Sequence, residues 1–226
     1  MKVILLTHTK DVLRAVYTAA RTCYSADFPE EIWNKNTPLD KQKKLLEKIL
    51  KSGHYSVLEH VSFTFAVEGI SRVASHQLVR HRIASYSQQS QRYVNFSKKY
   101  SYVVPPTIKK NEKFKEKYEK LMKNIHNLYK EMVNEGIPPE DARFIFPNAT
   151  TTNIIVTMNA RALHNFLRLR CCMRAQWEIR KMARMMLNIL KKEFPIIFKN
   201  AGPTCEVEGY CPEGEFSCGK APTKRN

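Results

Sequence analysis

The chain has 226 residues with 38 Lys and Arg against 21 Asp and Glu, a formal charge of +17 at pH 7. That length suffices for one substantial core, and that charge points to anionic partners: nucleic acid, an acidic membrane surface or phosphorylated small molecules. No stretch approaches the roughly 20 apolar residues of a membrane helix, and the apolar run in MKVILLTHTK is shorter than a signal-peptide core, so a soluble, cytoplasmic protein without membrane spans is expected.

In chain order, KVILLTH (2–8) reads as a first strand. TPLDKQKKLLEKILKSGH carries a helix start at Thr37-Pro38, apolar positions at Leu45, Leu46, Ile49 and Leu50, and a stop at Gly53 that leaves His54 just beyond the end. HVSFTFAVEG is a second strand, with Val61, Phe63, Phe65 and Val67 alternating against Ser62, Thr64 and Ala66. From Glu112 to Asn134, the positions Phe114, Tyr118, Leu121, Ile125, Leu128 and Met132 form an apolar seam along a long helix, predicting core or a subunit interface. TTNIIVTMN is the third strand candidate. NARALHNFLRLR and AQWEIRKMARMMLNILKKEF read as two successive helices, the second with Trp177, Ile179, Met182, Met186, Ile189 and Leu190 as its buried stripe. Strands scattered among long helices, without regular alternation, predict an α+β fold: a mainly antiparallel sheet with long flanking helices in a single domain over 1–200, followed by a Cys/Pro/Gly-containing tail over 201–226.

Six cysteines in a reducing compartment read as thiols or ligands rather than a disulfide framework. Cys171 and Cys172 fall inside a helical pattern and read as packing. Cys205, Cys211 and Cys218 are spaced more widely than zinc knuckles, and no nearby histidine completes a fourth ligand, so no metal is expected.

The chemistry concentrates in RHRIASYSQQSQRY (80–93). Arg80, His81 and Arg82 follow an apolar stretch, and Ser85, Ser90 and Arg92 recur beyond an Ile83 that reads as buried. An arginine fork matches a phosphate or a planar carbonyl-imide edge, and serine hydroxyls and backbone amides in a tight loop complete an oxyanion or phosphate cradle. A second polar cluster, GHYSVLEH, sets His54, Ser56, Glu59 and His60 before the second strand. Its histidines are equally compatible with capping and packing.

Together these segments resemble the flavin-dependent thymidylate synthases. RHRIASYSQQSQR is similar to that family's Arg-His-Arg-x-x-Ser-x-Asn-x-x-Ser-x-Arg signature at every fixed position but one, Ser87 standing where Asn is usual. GHYSVLEH resembles its His-x-Ser/Thr-x-x-Glu-His segment, ARFIFP its second arginine loop, and NARALHNFLRLR with AQWEIR its C-terminal helical region. Four motifs in the correct order, spanning about residues 1 to 200, are more specific than any one of them.

The resemblance implies reductive methylation of dUMP to dTMP by an FAD enzyme, with methylenetetrahydrofolate as co-substrate and NADPH as reductant, in a homotetramer whose sites are shared between subunits. It further implies that Gln77, Leu78, Val79, Arg80, Gln88, Gln89, Ser90, Gln91, Arg92 and Arg143 hold the nucleotide. FAD would be met by Ser56, Glu59, Arg80, His81, Arg82, Gln88, Asn159, Ala160, Arg161 and Asn165. Arg170 matches the arginine set against the uracil ring and is the expected electrostatic catalyst. Ser90 lies near the reacting base, where positioning and polarising fit better than nucleophilic attack, because no general base is placed beside it. His54 fits a flavin- or folate-side role. Across subunits, the 77–92 stretch of one chain is expected to meet Arg170 of another.

Two alternatives stay open. One is a flavoprotein of the same fold with an altered substrate, since Ser87 lacks the amide of Asn and Gln88 stands where some members carry a carboxylate. The other is a basic nucleic-acid-binding protein, against which stand the absence of a nucleic-acid motif and aromatics placed at buried periodic positions.

Overall fold

The computed structural model describes residues 1–221. In chain order its main elements are β1 (Lys2–His8), α1 (Val12–Thr22), α2 (Pro29–Asn34), α3 (Leu39–Lys51), β2 (Ser62–Ser71), α4 (Arg72–Leu78), β3 (Ser85–Gln88), α5 (Pro106–Lys109), α6 (Glu112–Asn134), α7 (Pro139–Ala142), β4 (Thr151–Asn159), α8 (Ala160–Arg170), α9 (Trp177–Glu193), α10 (Pro195–Phe198) and α11 (Thr204–Val207). The strands form one antiparallel sheet in the order β1-β2-β4-β3, the α+β arrangement expected from the sequence. Contacts within the chain fall into two compact units. The first comprises residues 1–2, 67–80 and 87–155; the second comprises 3–66, 81–86 and, of the described residues, 156–221.

The second unit is built on the apolar face of β2. Phe63 is fully buried, its ring edge-on to Phe194 at 4.9 Å and to Phe198 at 5.3 Å. Thr64 and Thr157 join hydroxyls at 2.9 Å. Helix α3 ends as its sequence demands: Gly53, at φ 74, lets the His54 N–H reach the Ile49 carbonyl and its own N–H reach that of Leu50. Asn159 starts α8, its Oδ1 accepting the Ala162 N–H at 2.8 Å, and Gln176 starts α9 in the same way through Glu178 and Ile179. The stripe of α9 is buried at Ile179, Met182, Met186 and Leu190, while Trp177 and Ile189 stay half-buried. Ala201, Gly202, Pro203 and Thr204, at the head of the expected tail, are buried in this unit. The end of that tail, 222–226, lies outside the described residues.

In the first unit, Phe96, Tyr129 and Ala142 form a buried cluster, with Phe146 stacked on Tyr129 at 4.5 Å. The Tyr129 hydroxyl accepts the Phe96 N–H at 3.3 Å. Helix α6 presents Met122 and Tyr129 to this core. The seam read from the sequence is split: Tyr118, Ile125 and Met132 are half-buried, Met132 packing against this cluster, while Phe114, Leu121 and Leu128 are 56, 54 and 47% exposed. Heptad spacing put these three on one stripe correctly, but which stripe turns inward is decided by the aromatic ring that fits the Phe96–Phe146 gap. As core, that expectation fails for Phe114, Leu121 and Leu128 and holds in part for Met132. No helix among the described residues is long and apolar enough to cross a membrane.

Candidate active site

In the second unit the signature stretch and α8 meet at His81. Its Nε2 accepts from Arg170 Nε at 2.9 Å, its ring lies edge-on to buried Phe166 at 4.9 Å, and its carbonyl accepts from the Tyr86 hydroxyl at 2.8 Å. Phe166 and Arg170 are four residues apart, so one helix face offers the imidazole both an apolar seat and a cation. Burial first, and the Arg170 charge second, bring the His81 pKa down to about 4. At neutral pH the ring is therefore uncharged, and with Nε2 accepting, its proton sits on Nδ1. One edge of the Arg170 guanidinium is thereby fixed at its Nε.

This pair predicts a pH dependence. Between about 6.5 and about 4 the unfolded chain takes up a proton at His81 that the folded chain refuses, so stability contributed above 6.5 is lost as the pH falls through that window. The His81 ring resonances should titrate near 4 in an NMR pH series. A midpoint between 6 and 7 would show that neither burial nor Arg170 acts on the ring.

Six of the residues matched to FAD, Ser56, Glu59, Asn159, Ala160, Arg161 and Asn165, lie on the 3-10 turn Tyr55–His60 and on α8 with its N-terminal cap, also in the second unit, whereas Arg80 and Gln88 fall in the first. Arg161 pairs with Glu59, and Asn165 Oδ1 accepts from Arg168 at 3.3 Å. Asn159 spends its Oδ1 on the helix cap, leaving Nδ2 as its donor. Ser56 and the His54 side chain are exposed. Hydroxyl, amide and guanidinium donors beside one carboxylate suit a dinucleotide: donors for pyrophosphate oxygens, an acceptor for ribose hydroxyls. Ala160 departs from its expected role. It is fully buried and donates its N–H to the Val61 carbonyl at 2.9 Å, so it forms wall rather than offering a donor.

The first unit holds the residues matched to the nucleotide. Gln88 Nε2 donates to Ser75 Oγ at 3.0 Å and to Thr152 Oγ1 at 3.2 Å. Gln89 is locked to Asn153 twice, through backbone N–H to carbonyl and through Oε1 accepting from Nδ2. Ser90 Oγ accepts the Arg92 N–H at 3.1 Å, a contact that shapes the loop. Arg92 pairs with the Glu140 carboxylate, and Arg143 Nε donates to the Glu140 carbonyl at 2.9 Å. Gln91 Nε2 is buried without a hydrogen-bond partner, a donor that an acceptor on a bound molecule would satisfy. Gln77 is half-buried, and Val79, Arg80 and Arg82 are exposed. Leu78 is fully buried, so its side chain packs and only its backbone could serve a ligand.

Two details of the signature stretch are corrected. Ile83 is 74% exposed rather than buried. Part of the presumed loop is strand β3, held in place by pairing with β4 that no local pattern announces. Sequence reasoning also missed Arg72, Glu140 and Phe166. Burial, then the charge of Arg143, depress the Arg72 pKa, which places a second cation close to Arg143. Glu140 stands three residues before Arg143, a spacing that could have signalled it, and Phe166 is one turn before Arg170.

A cavity of about 650 Å³ opens in the second unit beyond the C-terminal end of α8, lined among others by Arg170, Arg174, Arg184 and Glu206. Arg184 holds Glu206 through both guanidinium nitrogens, and Arg174 pairs with Glu213 at 3.4 Å. All six cysteines are free thiols. Cys171 is pushed up to about 12 by burial, in keeping with its expected packing role.

An α+β chain carrying a basic signature stretch, an imidazole-seated arginine and a dinucleotide-type donor set defines a class of enzyme that handles anionic nucleotides. Residues 4–196 match the family described as thymidylate synthase complementing protein. Among similar proteins, the flavin-dependent thymidylate synthase of Geobacter sulfurreducens is 54% identical over 98% of this chain and 95% of its own length. That of Nitratidesulfovibrio vulgaris is 47% identical over 100% of this chain and 97% of its own length, and that of Pyrococcus furiosus 47% over 96% and 91%. The chain belongs to the flavin-dependent thymidylate synthase family.

Proposed function

We propose that this chain methylates dUMP to dTMP, with FAD as bound cofactor, methylenetetrahydrofolate as one-carbon donor and NADPH as reductant. The observation that carries the reading is Arg170, held at one edge by a neutral His81 at the end of a helix whose cap and first turn bear the FAD-type donors. Bound FAD would supply hydride chemistry, and the chain's own residues bind, orient and tune charge around it. Arg161, Asn159 and Ser56 would bind anionic and carbonyl oxygens of the cofactor, and Glu59 its hydroxyls. Arg92, Arg143 and the unpartnered Gln91 amide would take the nucleotide, and Ser90 would polarise it from a shaped turn. Arg170, a cation that does not deprotonate, would stabilise negative charge developing on the uracil carbonyl and N3 region without taking a proton. The excess of positive charge steers nucleotide and folate anions inward.

His81 meets Arg170 within one chain. We propose that the turn carrying Ser90 and Arg92 in one subunit serves Arg170 of a neighbour, in a homotetramer acting in the cytoplasm. Sedimentation equilibrium should give the mass of four chains; a monomer sinks that arrangement. The test of function is the colour of the purified protein. It should be yellow or become so on adding FAD, and NADPH should bleach it slowly unless dUMP is present, because the nucleotide completes the pocket. A colourless protein that cannot be reconstituted and instead binds RNA with a steep salt dependence would reverse the assignment.

A further inference from the structure

The cavity beyond α8 has an unusual wall. Besides its arginines it is lined by Cys172, Cys205, Cys211 and Cys218, four of the six cysteines of the chain. Along the sequence the three tail cysteines lack a fourth ligand, and the fold supplies it. Cys172 stands two residues beyond the end of α8, more than 30 positions from Cys205, yet lines the same space. None of the residues matched to nucleotide or FAD is one of these thiols.

We propose that Cys172, Cys205, Cys211 and Cys218 together bind one zinc ion, fastening the C-terminal tail across the cavity beside Arg170. Four thiolates suit a structural, closed, tetrahedral zinc site. Binding exchanges four S–H protons for four Zn–S bonds, and the net charge of −2 that results is offset by Arg168 and Lys220, which line the same cavity, while Arg174 and Arg184 are already paired with Glu213 and Glu206. Among the described residues no three such groups already stand in a metal-holding arrangement. The ion must therefore gather them, as metals commonly do when a site forms on binding. The tail can be gathered: Cys218 is exposed, and Gly209, Gly214 and Gly219 all have positive φ, turning points at which the chain is free of a Cβ. A disulfide would instead need one sulfur pair in a narrow geometry and would leave two thiols over.

The full chain, purified under reduction and dialysed against zinc and then against metal-free buffer, is the material for the test. Elemental analysis should find one zinc per chain, and zinc X-ray absorption should fit four sulfurs at about 2.3 Å. Cys172→Ser and Cys205→Ser should each weaken zinc retention at least tenfold in competition with a chelating dye, while Cys23→Ser, outside the cavity, should keep it. Limited proteolysis should cut the tail faster once zinc is stripped. Retention of no metal, iron in place of zinc, nitrogen or oxygen neighbours in the absorption spectrum, or equal zinc in Cys172→Ser would each overturn the proposal. The wild-type spectrum decides the matter even if a variant fails to fold. Because zinc content is read without turnover or flavin, its failure is separate from any failure of the proposed reaction.

Discussion

Arg170→Ala is expected to lower turnover at saturating dUMP by about 10²- to 10³-fold, the usual cost of removing one donor aimed at developing charge, with nucleotide affinity changed much less. The reason lies in what Arg170 touches. Its Nε is committed to His81 and its charge is already one cause of that ring's lowered pKa, so the guanidinium is positioned before substrate arrives. In the proposed reaction, deleting it would remove the cation that meets negative charge developing on the uracil ring. Arg92→Ala is the contrasting case. Arg92 shares Glu140 with the Arg143 backbone contact, and its loss leaves an uncompensated carboxylate beside the residues proposed to take the nucleotide. Affinity should fall by about 10- to 100-fold, the equivalent of one charge-assisted hydrogen bond, with turnover at saturation largely kept. Steady-state kinetics paired with equilibrium binding of dUMP to each variant separates the two. Loss of affinity alone in both variants would defeat the assignment of roles.

The second large effect concerns Phe166. Fully buried on α8 and edge-on to His81, it supports the core and the imidazole with the same ring. Phe166→Ala should cost about 3–5 kcal/mol, the range for truncating a buried aromatic, measured by urea unfolding. Phe166→Leu preserves most of the volume and should keep the fold within about 1.5 kcal/mol. In that variant the His81 ring loses its aromatic seat while Arg170 remains, so its NMR midpoint should move up from about 4 and turnover should drop with little change in dUMP affinity. An unchanged midpoint and unchanged turnover would reduce Phe166 to packing alone.

Much of the fold could be read along the chain because its cues are local. The bounds of β1 and β4 follow from alternation and from β-branched residues, and the end of α3 from Gly53, whose positive φ completes the helix stop. The signature residues were equally legible, since a dense order of Arg, His, Ser and Gln is a property of sequence. Strand β3 was not, because Ser85–Gln88 has no apolar face of its own and becomes a strand only by pairing with β4. Nor was the inward face of α6, where two stripes compete and packing against Phe96 and Phe146 chooses the one carrying Met122 and Tyr129.

By itself, then, the sequence determined which side chains are present for anion chemistry, the periodicities that make the helices and the longer strands, and the motif order that marks the family. Tertiary structure alone decided which of those side chains share an environment. It made His81 neutral by burying it against Phe166 under the Arg170 charge, set Arg72 beside Arg143, and brought Cys172 to the cavity of the tail cysteines. The physical reason is common to all three: a pKa, a charge pairing and a ligand set depend on distance and desolvation, and residues far apart in sequence acquire both only when the chain has closed around them.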